Sequence, residues 1–202
     1  MITYTVHPVN PQRRYIEATA RICKYEGGIA VYPTDTVYGI GAALSNVKGI
    51  ERIGRLLQKD NRRLFSFICS DFSQMSNYVH LSNAHFKLMK RYLPGPYTFI
   101  LPATHLVPKK ISPKRKTVGV RIPDCPTVID LVTLLGEPLA NTSVNLPGSF
   151  RGNPDEVRDA VLNEVDVMLD AGQLDDPTGS TIIDLTNDIP EVIRSGKGVW
   201  NE

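Results

Sequence analysis

Apolar and polar positions change period repeatedly along this chain, and the changes divide it into short strands and helices. ITYTV alternates and predicts a strand. NPQRRYIEATARICKYEGG predicts a helix, with Asn10 as its cap, Pro11 at its first position and Gly27-Gly28 at its end. GIAVYP is a buried strand of β-branched and aromatic residues, and YGIGA resumes extended structure after the polar turn between them. Ser45 or Asn46 can cap a helix through VKGIERIGRLLQK, with Ile50, Ile53 and Leu57 on one face. LFSFIC is a strand, and DFSQMSNYV and SNAHFKLMKRYLPG are helices. PYTFILPA and TVGVRIP are strands. PTVIDLVTLLGE is a helix with Pro126 at its start, and EPLANTS is a strand entering a second polar turn, TSVNLPGS. NPDEVRDAVLNEV is a helix capped by Asn153 with Pro154 next, and VDVMLDAG, STIIDLT and EVIR are strands.

Strands and helices alternate throughout, so the expected class is α/β or mixed α+β, a twisted sheet with helices on both faces. No repeat, low-complexity segment or linker breaks the order, and residues 1–202 are expected to form one domain. Leu106 to Lys116 is the longest stretch without a clear element, Pro- and Lys-rich, a loop suited to lie beside a site.

Composition narrows the function. At 42 % hydrophobic and 22 % charged, the chain is ordinary for a soluble globular protein. No apolar run reaches the ~18 residues that cross a bilayer, and the start of the chain lacks the build of a signal peptide, so the cytoplasm is the default location and no membrane partner is expected. Cys23, Cys69 and Cys125 are odd in number and dispersed, which argues against a disulfide framework and for buried filler. No Cys or His pair has zinc-ligand spacing, and His80 and His85 flank the helix cap at Ser82-Asn83.

The net charge of +2 hides an asymmetry: residues 1–152 carry a balance of +11 and residues 153–202 one of −9. The densest basic stretch, VPKKISPKRKTVGVR, holds Lys109, Lys110, Lys114, Arg115, Lys116 and Arg121 with no acid among them. Three readings stay open: a solvated surface, a surface for polyphosphate or nucleic acid, where clustered positive charge acts by steering and counterion release, or a partner for the acidic C-terminal quarter.

Familiar phosphate and nucleophile motifs are missing. There is no G-x-x-x-x-G-K-[ST] loop and no G-x-S-x-G elbow. Gly39-Ile-Gly41 begins like a dinucleotide fingerprint, but Leu44 holds the third glycine position and no long helix opens there. What remains is a set of polar residues at strand ends: Thr34, Asp35 and Thr36; Thr117 and Arg121, on one strand face roughly 13 Å apart at about 3.3 Å per residue; Ser143 and Asn145; Ser180 and Thr181; and Arg194. In open α/β sheets ligands gather beyond strand ends.

Six stretches in one order, PTDTVYG, LPGPYTFIL, TVGVRIP, TSVN, STIIDL and VIRSG, resemble the YrdC/YciO family over about residues 30–198. HPVNPQ, FSFICSDFSQMSNY, PKRKTVGVRIP and NLPGS resemble the YciO branch most. The resemblance implies a twisted mixed sheet around a positively charged concave cavity. Its better-known branch is similar to L-threonylcarbamoyladenylate synthase, which joins threonine, bicarbonate and ATP, with Mg²⁺ on the nucleotide, into threonylcarbamoyl-AMP for tRNA modification. Carried over by motif, Thr36, Arg121, Ser143 and Ser180 line the amino-acid part of the cavity, and Lys59, Thr117, Asn145 and Arg194 hold the nucleotide. Family members have been associated with double-stranded RNA or tRNA, which would engage Lys109, Lys110, Lys114, Arg115 and Lys116. One segment departs from the synthase pattern. Where synthases carry K-x-R-P and, after the next strand, a histidine, a gapless reading gives Leu57, Lys59, Asp60 and Ile68, with Arg62 and Arg63 nearby. Lysine at the arginine position loses the bidentate fork, and Asp60 adds negative charge beside phosphate. This opens a second reading, a nucleotide- and RNA-binding protein without efficient synthase activity.

Overall fold

The computed structural model describes residues 1–57, 65–108, 116–144, 152–187 and 189–201. Among these, the elements follow the expected order: β1 (Ile2–Thr5), α1 (Arg13–Tyr25), β2 (Ala30–Tyr32), β3 (Gly39–Ala43), α2 (Val47–Leu56), β4 (Ser66–Ile68), α3 (Phe72–Ser76), α4 (Asn83–Met89), β5 (Tyr97–Pro102), β6 (Thr117–Arg121), α5 (Pro126–Leu135), β7 (Leu139–Ser143), α6 (Pro154–Val161), β8 (Val167–Asp170), β9 (Thr181–Asp184) and β10 (Glu191–Arg194). The strands form one mixed sheet in the order β1-β8-β2-β3-β7-β4-β6-β5-β9-β10. β2-β3, β3-β7, β7-β4, β6-β5 and β9-β10 are antiparallel, and the other neighbours are parallel.

Capping residues set most helix starts. Asn46 accepts from the Gly49 N–H at 2.9 Å and its amide also donates to the Gly27 carbonyl at 2.7 Å, tying the start of α2 to the turn after α1. Asn46→Ala is therefore expected to destabilise by about 1–2 kcal/mol, the upper part of the range for a lost cap, seen as a lower urea midpoint at unchanged slope. Pro126 and Pro154 occupy first-turn positions, and Asn153 accepts from the Asp155 N–H. The first helix starts later than its sequence suggests. His7 Nδ1 accepts the N–H groups of Val9 and Asn10, holding them in a turn, so α1 begins at Arg13 with Gln12, not Asn10, before it.

Alternation along the strands feeds two apolar layers. Val31, Phe67, Phe99, Leu101, Val118, Val120, Met168 and Ile183 face a core closed by Ile50 and Ile53 of α2, Met75 of α3, Met89 of α4 and Val157 and Val161 of α6. The opposite face buries Ala30, Tyr32, Ile68, Leu139, Val167 and Leu169 under Ile16 and Ala20 of α1 and Val128 and Leu131 of α5. This second layer covers only the β1-to-β4 part of the sheet. On β6, β5 and β9 the same face carries Gly119, Arg121, Thr98, Ile100 and Ile182, with Ser180 just before β9, and there the sheet bounds a cavity. None of the helices among the described residues is long and apolar enough to cross a membrane.

Candidate functional site

The cavity, about 180 Å³, has walls from six strands. Ser66, Thr98, Asn141, Thr142, Ser143 and Ser180 supply hydroxyls and amides, Phe65, Ile100 and Ile182 an apolar side, and Arg121 and Arg194 the charge; none of the described lining residues is acidic. Gly119 keeps the floor open, since a Cβ there would stand 3.1 Å from Thr98 Cγ2.

Arg121 is the centre of the site. Its side chain is 6 % exposed and pairs with Asp35, itself 11 % exposed. One terminal nitrogen donates to Asp35 Oδ1 and the other to Thr36 Oγ1 at 2.9 Å. The loop between β2 and β3 is built for this grip. Thr34 Oγ1 gives its proton to the Val37 carbonyl at 2.6 Å and accepts the N–H groups of Thr36 and Val37. With that proton committed, the 3.0 Å contact between the two threonine hydroxyls has Thr36 as donor, so the Thr36 lone pair faces Arg121. Asp35 Oδ2 is fixed from the other side by the Asp124 N–H at 3.2 Å. Thr34, Asp35 and Thr36 thus hold the arginine.

Two donors of the Arg121 fork are engaged in this way, and its buried Nε has no hydrogen-bond partner among the described residues. A buried N–H without a partner is costly, so the guanidinium is held here by the two bonds to Asp35 and Thr36. Burial pushes the Arg121 guanidinium down, Asp35 opposes this, and the charge of Arg194 lowers it further, so the two arginines feel each other across the site. An anion between them would relieve that repulsion.

A β-bulge aims Arg194. Glu191 pairs with Asp184 and Val192 with Ile183, but Arg194, not Ile193, pairs with Ile182. The extra residue turns Arg194 to the cavity face. There its guanidinium donates to the Ser180 carbonyl at 2.7 and 3.1 Å and to Ser180 Oγ at 3.2 Å, while Ser180 Oγ also meets Thr98 Oγ1 at 2.9 Å.

Four of the residues expected from sequence, Arg121, Ser143, Ser180 and Arg194, come together on the cavity. Thr36 does not line it. It stands behind Arg121, 1 % exposed, as a hydrogen-bond acceptor. Thr117 is also absent from the lining, because its register opposite Pro102 puts it at the far end of β6. Lys59, Asn145, Lys109, Lys110, Lys114 and Arg115 lie outside the described residues, and Lys116 is exposed. Sequence reasoning gave no role to Ser66, Thr98 or Asn141, although small polar residues alternating with core positions, as in Ser66-Phe67 and Thr98-Phe99, carry the signal. Among the described residues, four acids of the C-terminal quarter form ion pairs: Asp166 with Arg52, Asp155 and Asp170 with Arg158, and Asp176 with Lys197.

Gly39 and Gly41 sit within β3 and do not open a phosphate loop. Cys125 lies near Arg121, but burial pushes its thiol up to about 11, which keeps it protonated and poorly nucleophilic near neutrality. No cluster of three or more His, Cys, Asp or Glu suited to a metal occurs among the described residues.

The family model for Sua5, YciO and YrdC proteins, described as telomere recombination, matches residues 24–196. The chain belongs to the Sua5/YciO/YrdC family. Within it, the chain is 41 % identical to the uncharacterized protein YciO of Escherichia coli K12, covering 96 % of this chain and 95 % of that one. The crystal structure of E. coli YciO matches with a TM-score of 0.91 over 98 % of both chains. A threonylcarbamoyl-AMP synthase of Vibrio vulnificus is 32 % identical over 71 % of this chain and 80 % of its own. The crystal structure of P. abyssi Sua5 complexed with L-threonine has a TM-score of 0.90 at 27 % identity, over 97 % of this chain and 58 % of that one. In this family member the Leu57 and Ile68 positions are committed to packing: Leu57 lies in the first apolar layer and Ile68 in the second.

Proposed function

We propose that this family member binds a small amino acid of the threonine class, with its carboxylate on Arg121, and uses ATP as the Mg²⁺ complex to adenylate the carbamate that the amine forms with bicarbonate, releasing pyrophosphate. The observation that carries this reading is the buried Arg121, held by Asp35 and Thr36 at the wall of a cavity that is faced by a second arginine and has no acid among its described lining residues. The carboxylate pairs with the positive charge that Arg121 brings to the cavity wall, and Ser143 and Ser180 orient the amine and hydroxyl without adding charge. Arg194 on the cavity contacts the nucleotide, and Lys59, Thr117 and Asn145 are assigned to it by the family motifs alone. Displacement at the α-phosphate asks mainly for positioning and charge stabilisation, which two arginines and a ring of hydroxyls supply. The likeness to a synthase and to a threonine-bound relative supports the same class. A cytoplasmic product of this kind would serve tRNA modification.

The test is incubation of the purified protein with ATP, bicarbonate and threonine, following pyrophosphate and the adenylate. Threonine-dependent pyrophosphate release, lost at least a hundredfold in Arg121→Ala, is the expected result. Turnover no higher than that of the variant would refute the reading.

Leu57 and Ile68 favour a second reading, a nucleotide- and RNA-binding protein that keeps the cavity without efficient synthase chemistry, since both positions are apolar core. It predicts tight nucleotide binding without pyrophosphate release, and binding of double-stranded RNA or tRNA that weakens steeply with salt. Replacing Lys110, Lys114, Arg115 and Lys116 by Ser should weaken RNA binding; unchanged affinity would leave the basic stretch as solvated surface.

A further inference from the structure

Tyr32 is fully buried on β2, yet its hydroxyl acts two strands away. It donates to Asn141 Oδ1 on β7 at 2.8 Å, across the intervening β3. Adjacent strands stand roughly 4.8 Å apart, and the phenol bridges this gap only because β3 carries no side chain beneath it. A Cβ at Gly41 would lie 2.3 Å from Tyr32 Oη, and one at Gly39 would lie 2.5 Å from Asn141 Oδ1 and 2.9 Å from the tyrosine ring. Register makes the reach diagonal: Tyr32 is opposite Gly39, two residues along β3 Gly41 is opposite Asn141, and Asn141 is in turn opposite Ser66 and Ser66 opposite Gly119.

The row fixes which way the Asn141 amide points. Ser66 gives its hydroxyl proton to the Asn141 main-chain carbonyl at 3.4 Å, so toward the amide it offers a lone pair. Asn141 Nδ2 donates to that lone pair at 3.3 Å. Oδ1 is therefore on the Tyr32 side and takes the phenol proton. An amide nitrogen has two hydrogens. Ser66 takes one, and since Asn141 is a lining residue of the cavity the other is left for a ligand there. With the amide reversed, the same wall would present a carbonyl oxygen and repel an anion.

We propose that Tyr32 is a positioning residue that never touches the ligand: it locks Asn141 with its N–H toward the cavity, so that this wall selects a ligand carrying an acceptor, a carboxylate or carbamate oxygen, over one carrying an amide donor. The specificity claim rests on the amino-acid reading above; the lock itself does not.

Two measurements separate these claims. In the ligand-free protein, NMR exchange of the Asn141 side-chain amide protons is expected to be slow, and at least tenfold faster in Tyr32→Phe with the main-chain spectrum retained. Unchanged exchange in Tyr32→Phe would overturn the lock whatever the protein binds. By calorimetry, wild type is expected to bind L-threonine more tightly than L-threoninamide. Tyr32→Phe should lose about fivefold to tenfold of the threonine affinity, the scale of one positioned hydrogen bond, with threoninamide affinity unchanged. Ser66→Ala, which removes the acceptor on the other side of the amide, should narrow the discrimination likewise and serves if Tyr32→Phe fails to fold. Equal discrimination in wild type and both variants would overturn the specificity role. A wild type that binds neither compound refutes both the amino-acid reading and the specificity claim resting on it, and leaves the exchange measurement to decide the lock.

Discussion

Arg121→Ala is expected to lower the stability of the folded protein by about 3–5 kcal/mol, the range for breaking a buried ion pair by removing one partner. The cost arises at Asp35. With the guanidinium gone, its carboxylate remains nearly buried and keeps only the Asp124 N–H as a described partner, while Thr36 loses the donor its lone pair was turned to meet. The paired replacement Asp35→Leu with Arg121→Met removes both charges and should cost much less than the two single changes together, because no uncompensated charge is left behind. Urea denaturation of the four proteins completes the cycle. A single Arg121→Ala variant with the wild-type midpoint would contradict the buried pair. Threonine binding separates the two roles of the arginine: the paired variant should recover stability but not affinity, since the carboxylate then has no fork to meet.

Gly196→Ala is expected to dislodge the C-terminal segment. A Cβ at this position would stand 2.2 Å from the Gly179 carbonyl oxygen and 2.5 Å from the Ser180 carbonyl carbon, both main-chain atoms that cannot rotate aside. The segment is docked by Lys197 N–H on the Gly179 carbonyl at 2.9 Å, by Thr181 Oγ1 on the Gly198 carbonyl at 2.6 Å, by Tyr97 Oη on the Val199 carbonyl at 2.7 Å and by Trp200 stacked on Tyr92 at 4.6 Å. Overpacking costs about 1–3 kcal/mol where neighbours can yield, and here the whole segment must lift. Trp200 is the single tryptophan, so a red shift of its emission reports undocking. Arg194 shares this turn through Ser180, and the variant should bind anionic ligands more weakly. Gly54→Ala is the control. Nothing lies within 4 Å of the added carbon, and in the α2 interior alanine gains about 0.5–1 kcal/mol over glycine. The same chemical change should therefore have opposite signs at the two sites, and a common sign would contradict the packing described.

Much of this site was legible in one dimension, though in pieces. The alternation in Thr98-Phe99-Ile100-Leu101 and Val118-Gly119-Val120-Arg121 marks strands with one core face and one face of small, polar or charged residues. The threonine-rich loop was legible as polar and purposeful, but its purpose was not. Thr36 read as a ligand contact, whereas it supports Arg121 from behind. Thr117 and Arg121 share a strand face, yet only Arg121 reaches the cavity, because that choice depends on which end of β6 the neighbouring strands leave open. The start of α1 lies beyond Asn10 because the His7 side chain accepts the N–H groups of Val9 and Asn10 and holds them in a turn, a contact that no helix-cap pattern marks.

By itself the sequence determined the periods, and hence the strands, helices, caps and mixed class, because local alternation, proline at first turns and capping side chains act over a few residues. It also carried the ordered motifs that place the chain in its family. Only the tertiary structure decided the strand order, which brings Arg121, Asn141, Ser143, Ser180 and Arg194 from three separate strands and the loop before β9 to one cavity. It alone decided the pairing of Asp35 with Arg121, the bulge that turns Arg194 inward, and the glycine pair that lets Tyr32 reach Asn141. These contacts span 14 to 109 residues of chain, and register across a sheet is set by the packing of whole layers, which no local pattern encodes.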